Sequence, residues 1–300
     1  MPNIRTAEDF LKVPKWTELQ SNHDTQIAEI EKKFQDEEDD IRARRADGRL
    51  SQLEASILRQ EVDRRKEQAL SDVNDQFGRS AVESVFAKDD SNSTLREQLR
   101  KMSKNHLKPE VQEAADLMGR VIDNLNYKPE KEVPRFTVVS SRGSKKARSE
   151  YDPIKNTLKV RTENNSNSSV FVSTAHEIAH WMESSMPELK KKMLELYSKI
   201  TEGAPIPIPG HPGEFYRKAT IPVPSNYYVK DYAASIEHVL NSKKHKNTPA
   251  HLKDAYRQEK KPIMESTELL SGFFEELLKN PTQLAKDYPE FFNQIMEILK

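Results

Sequence analysis

Apolar positions along this chain fall into three regimes. In the first they are sparse and spaced for a helix: Ile27, Ile30, Phe34 and Ile41, then Leu50, Leu53, Ile57, Val62, Ala69, Val73 and Phe77. Stripes this narrow are heptad-like seams of the coiled-coil type. Between them, Ala46-Asp47-Gly48-Arg49 offers the glycine that commonly ends a helix in the left-handed conformation. The spacing predicts an antiparallel helical hairpin over about residues 25–78, preceded by a short helix or arm with Phe10, Leu11, Val13, Trp16 and Leu19, interrupted at Pro14. Polar Asp89–Ser93 reads as a boundary, with Thr94 capping the helix that follows.

In the second regime the apolar stripe widens. Pro109–Asn126 carries Val111, Ala115, Leu117, Met118, Val121, Ile122 and Leu125, the pattern of a helix with one buried face. In the third, β-rich runs appear: Phe136–Val139 and Thr157–Arg161 predict short strands. Ser149–Pro153 and Lys155–Asn156 supply turn chemistry between them. Pro187 breaks one helix and opens another that runs to about Thr201. The segment APIPIPGHPGEF after it reads as irregular. Val223–Tyr232 reads as ordered, Asn241–Thr248 as a surface loop, and Ile263–Leu278 and Asp287–Lys300 as amphipathic helices. The fold expected is α+β and mostly helical, with a charged helical arm over residues 1–92 and a domain with a small sheet over residues 93–300.

Composition narrows the partners. Hydrophobic residues make up 35% of the 300, charged residues 32%, and mean hydropathy is −0.85, so much of the chain is solvated surface. Lys+Arg 48 balances Asp+Glu 48, which argues against a general nucleic-acid binder, whose affinity rests on neutralising phosphates. The absence of cysteine excludes disulfides and thiolate metal sites. MPNIRTAEDFLKVPKW has no apolar core of signal-peptide type, and no run reaches the roughly 18–20 apolar residues of a membrane span. A soluble chain, intracellular at synthesis and without nucleic-acid or membrane partners, is expected.

The chemistry concentrates in VFVSTAHEIAHWME, residues 170–183. His176-Glu177-Ile178-Ala179-His180 is an H-E-x-x-H pattern. On a helix, positions four apart share a face, so both imidazoles can close on one metal ion with Glu177 beside them. Neutral imidazoles suit Zn²⁺, and a catalytic zinc takes three protein ligands plus water, with the glutamate as general base. Val170-Phe171-Val172 reads as an apolar lead-in and Ser173 or Thr174 as the helix cap.

A metzincin third ligand would need glycine at 183 and histidine at 186, where the chain has Glu183 and Met186. His211, His238, His245 and His251 read as ordinary surface histidines. A carboxylate on a later helix is the better candidate, and MESTELLSGFFEELL offers Glu265, Glu268, Glu275 and Glu276. Glu268 is favoured, because Ser271 and Gly272 would let that helix approach the histidine helix closely. Glu265 is the next choice, and Glu275 and Glu276 read as surface charges. Tyr228 or Tyr232 could donate to a tetrahedral oxyanion, or serve as packing aromatics.

HEIAHWME, NYYVKDY, TELLSGFFEEL and the DYPEFF tail together resemble phage- and prophage-encoded zinc metallopeptidase domains of minor head and head-morphogenesis proteins. The helix pair also resembles that of gluzincin-type toxins. The resemblance covers roughly Pro134–Lys300 and leaves out the arm. It implies a zincin-like hydrolase with His176, His180 and Glu268 as zinc ligands and Glu177 as base. It implies a protein or peptide substrate, phage head or virion proteins as partners of the arm, and a place in the host cytoplasm or the virion. A virion assembly protein that keeps the zinc fold without peptidase activity, or a toxin-like effector protease, are the alternatives.

Overall fold

A computed structural model describes residues 4–86, 97–99, 101, 108–139, 149–161, 169–224, 228–264 and 266–300. Thus the predicted boundary at Asp89–Ser93 and the Thr94 cap lie outside the described residues, as does Glu265. Helix α1 spans Ala7–Leu11, α2 Pro14–Ala46 and α3 Gln52–Phe86. Pro14 opens α2 at its first position, where its missing N–H costs nothing. Arg49 N donates to Arg44 O, and Gly48 takes φ 72°, so the α2–α3 turn is closed by the glycine that the sequence singles out.

This hairpin has two halves. Its distal half owns a small cluster of Phe34, Ile41, Ala55 and Val62, and Arg65 pairs with Glu37 across it at 2.6 Å. The base belongs to the main core. Trp16 packs on Phe10 and Phe77 with ring centroids 4.6 and 4.8 Å apart, and His23 stacks on Phe77 at 4.2 Å. Ala81, Val82, Val85 and Phe86 are buried in the same cluster as the histidine helix. At Gly78 an added Cβ would lie 1.9 Å from the Leu278 carbonyl oxygen, so two helix backbones touch there. The expected arm of residues 1–92 thus shares its base with the main core, while the distal hairpin has a small cluster of its own.

Helix α4, Pro109–Asp123, follows with the predicted apolar face buried. Strands β1 (Arg135–Val139), β2 (Glu150–Asp152) and β3 (Thr157–Arg161) form a sheet in the order β1-β3-β2, β1 parallel and β2 antiparallel to β3. Glu150–Asp152 is thus strand and not turn. The Asp152 carboxylate accepts from the N–H groups of Ile154 and Lys155 at 3.0 Å, and Asn156 takes φ 47°. A turn this tight frees the residues before it to pair with β3.

Helices α5 (Val170–Ser185) and α6 (Pro187–Ile200) follow, and then a meander of β4 (Thr201–Pro207), β5 (Phe215–Ala219) and β6 (Tyr228–Lys230). The proline-rich run expected to be irregular therefore contains a strand. It is an edge strand, where a missing N–H is tolerated, and Gly203 at φ 75° takes up an irregularity between Glu202 and Ile206.

The chain ends in α7 (Tyr232–Asn241), a 3₁₀ turn at Lys243–His245, and α8 (Ala250–Met264), α9 (Leu269–Lys279), α10 (Pro281–Asp287) and α11 (Pro289–Leu299). The single helix expected over Ile263–Leu278 is broken between α8 and α9. Helix α5 packs against α4, α9 and strands β2 and β3, which centres it in a mostly helical α+β fold. No helix among the described residues is long and apolar enough to cross a membrane.

Candidate metal centre

Ser169, and not Ser173 or Thr174, caps α5: its Oγ accepts from Val172 N at 3.1 Å. Val170–Val172 thus form the first turn. Thr174 donates to Val170 O at 2.7 Å, and Ser173 Oγ accepts from Arg161 of β3 at 2.8 Å. Ser169 Oγ also donates to Asp75 of α3 at 2.7 Å, tying the hairpin base to the helix start. Burial pushes the Asp75 carboxyl up to about 6. Phe171, Ala175, Ile178, Ala179 and Met182 are buried along α5, so its packing fixes the direction of His176 and His180.

The two imidazoles stand edge to face, with centroids 4.9 Å apart and planes at 74°. Glu268 Oε2 lies 3.4 Å from His176 Nε2 and 3.3 Å from His180 Nε2. Zinc bonds of about 2.0–2.1 Å at tetrahedral angles place ligand atoms roughly 3.3–3.4 Å apart, which the two carboxylate–imidazole distances match; all three donor atoms lie within 4.8 Å of one another. Among the described residues, His176, His180 and Glu268 are the one group of three or more such side chains that could hold a metal ion.

Charge at the cluster is unusual. Burial works against an imidazolium at His176, but Glu268 and Glu275 outweigh it and raise the group to about 10. Burial likewise opposes a charge on His180, and Glu268 overrides it. Burial would raise Glu268, yet His180 and His176 hold it well below the usual carboxylate range. A metal at these nitrogens would have to displace their protons, so its binding would be coupled to proton release.

Glu268 stands at the N-cap position of α9, without a side-chain cap bond, and does not lie within a helix. Ser271 Oγ donates to its Oε2 at 3.0 Å, the Tyr232 hydroxyl donates to Oε1, and Lys230 Nζ approaches Oε1 at 3.8 Å. Tyr232 is delivered by Asp231, which caps α7 by accepting from Ala234 N at 2.7 Å and is held by Arg217 Nε at 2.6 Å and Tyr197 Oη at 3.2 Å. Burial and then the Glu268 charge push the Tyr232 phenol well above its ordinary value, so it stays a donor. Tyr228 lies in β6, and its side chain is outside the described residues.

Glu177 reaches the other way. Its Oε2 accepts from Tyr151 N of β2 at 2.8 Å, so Glu177 sits against the edge strand of the first sheet. A cleft of about 270 Å³ opens beside the triad, with Ile208, Val229, Leu269 and Phe291 among its walls.

One expectation about a glutamate changes, and the place of another was not foreseen. Glu275 is not a surface charge: its Oε2 lies 2.8 Å from His176 Nδ1, a contact bent away from a straight hydrogen bond, so charge attraction carries it. His176 brings its carboxyl down to about 2, against the opposing effect of burial. Glu183 is 1% exposed and binds Thr267; a lone carboxylate among the apolar positions of α5 was the signal for it. Helix α9 packs against α5 as expected, but Gly272 has nothing within 4 Å of an added Cβ and lines the cleft, so it is not the contact point; the tight glycine contact is that of Gly78 in α3 on Leu278 in α9. His211 lines the cleft, and neither it nor His238, His245 or His251 joins the donor set.

No protein-family model, curated protein or solved structure matches the chain. The resemblance to phage metallopeptidase domains therefore rests on the motifs quoted above.

Proposed function

We propose that this chain is a zinc-dependent metallopeptidase of zincin type. The observation that supports it best is the 3.3–3.4 Å spacing of Glu268 Oε2 from two imidazole nitrogens on one helix, with Glu177 one position from His176. His176 Nε2, His180 Nε2 and Glu268 Oε2 would hold the ion. Bound there, zinc supplies Lewis acidity and a nucleophile at neutral pH.

The chain's own groups do the rest. Glu177 takes the proton of the attacking water on a carboxylate oxygen and passes it to the leaving amine. Before the reaction, that carboxylate accepts from the Tyr151 N–H of β2. Tyr232 has its hydroxyl committed to Glu268, so it orients the ligand; service as an oxyanion donor would require breaking that bond. Strand β2 lies at the sheet edge, where an extended peptide can add as a further strand.

Zinc-loaded protein is expected to cleave an unfolded protein substrate. Dialysis against a chelator should remove that turnover, and one equivalent of Zn²⁺ should restore it. If zinc-loaded protein cleaves nothing in a broad mixture of unstructured peptides, the reading fails.

A further inference from the structure

His176 and His180 are set relative to each other by one helix, but the third donor arrives from elsewhere. Glu268 sits in the connection between α8 and α9, at a non-helical cap position with φ −97° and ψ 7°. A connecting segment places a ligand reproducibly only if something anchors it. From the structure we infer that Glu183 is that anchor, a positioning residue that locks the Glu268 ligand to the helix carrying the two histidines. This inference rests on the metal reading above.

The geometry is direct. Glu183 lies three residues after His180 on α5, one turn along the same face. Its Oε1 accepts from Thr267 N at 2.7 Å and its Oε2 from Thr267 Oγ1 at 3.2 Å. Thr267 Oγ1 in turn accepts from Leu269 N at 3.3 Å, which fixes the chain on both sides of Glu268. Glu183 and Thr267 are each 1% exposed. A carboxylate is costly to bury, and a helix that needed only packing here would carry an apolar residue. Both oxygens instead go to the residue before the ligand. Glu183 is therefore a bracket from the histidine helix to the carboxylate ligand, and it makes the three donors one rigid unit. Partners of this kind commonly matter 10–100-fold in metal affinity.

The test uses the whole chain with Co²⁺ and Zn²⁺ as probes, comparing wild type, Glu183→Gln and Glu183→Ala. Glu183→Ala is expected to hold Co²⁺ about 10–100-fold more weakly, with a changed visible absorption band because the carboxylate ligand is displaced. Glu183→Gln can still accept from Thr267 N, and its loss should be smaller. Because a ligand that binds only the folded state raises its melting temperature, the zinc-dependent rise in Tm should shrink in both variants. A residue that only fills the core would lower Tm equally with and without zinc and leave the Co²⁺ spectrum unchanged. If Glu183→Ala fails to fold, Glu183→Gln and Thr267→Val, which removes both Oγ1 contacts and keeps the N–H bond to Glu183, decide by the same readouts. Wild-type affinity and spectrum in the folded variants would overturn the inference. Failure of wild type itself to bind either ion would instead bring down the metal reading beneath it.

Discussion

A chain truncated to begin near Ser93 is expected to lose cooperative folding. The truncation would strip Phe10, Trp16, Phe77, Val82, Val85 and Phe86 from the main core, where each is buried. At roughly 1.5–3 kcal/mol for each large apolar side chain, the loss matches or exceeds the ~5–15 kcal/mol by which domains are stable. It would also uncover Leu278, on which Gly78 sits, and release Asp75 from the Ser169 cap of the histidine helix. The contrasting deletion removes only residues 30–67 and rejoins α2 to α3 by a short turn. It keeps His23 bonded to Asn74, at 2.8 Å, as the last rung of the hairpin base. That protein should unfold in one transition, with a denaturant slope reduced only by the surface removed. Urea unfolding of both would check this account of the core. Stable, cooperative unfolding of the chain that begins near Ser93 would show that the hairpin base is dispensable.

The largest catalytic effect is expected from Glu177→Gln. General-base assistance contributes about 10²–10⁴-fold, and an amide cannot take the proton, so turnover should fall by that factor. Zinc content and Tm should hold, because glutamine still offers Tyr151 N an oxygen to replace the 2.8 Å bond. The check is turnover beside metal analysis on the same preparations. Full activity in Glu177→Gln would remove Glu177 from the reaction, and loss of metal would make it a ligand.

Local chemistry made part of this molecule legible from its sequence. Helical spacing marked the α2–α3 hairpin, Gly48 marked its turn, and His176 and His180 declared one face of α5. Glu268 could be singled out among neighbouring glutamates because its helix packs against α5 with Ser271 buried, although Gly272 is not at the contact. What stayed hidden depends on contacts distant in sequence. Nothing local distinguishes Phe77 as core from Leu53 as surface; the difference is that Trp16 and His23 cover one and the other is 70% exposed. Prolines at 205 and 207 hide a strand because the sequence does not say that β4 lies at an edge. At the break before Leu269, Thr267 is bound by Glu183, 84 residues away, a contact nothing local announces. Glu275 read as solvated until His176 was seen beside it.

The central claim is that two histidines on one helix and one glutamate beyond it hold a single zinc ion. Its most direct test is elemental analysis of wild type, His180→Ala and Glu268→Ala after dialysis with limiting chelator. One zinc per wild-type chain is expected, with loss of most of it and a lower Tm in both variants, since metal binding adds to folding free energy. Wild type without stoichiometric metal, or Glu268→Ala with its full complement, would contradict the account.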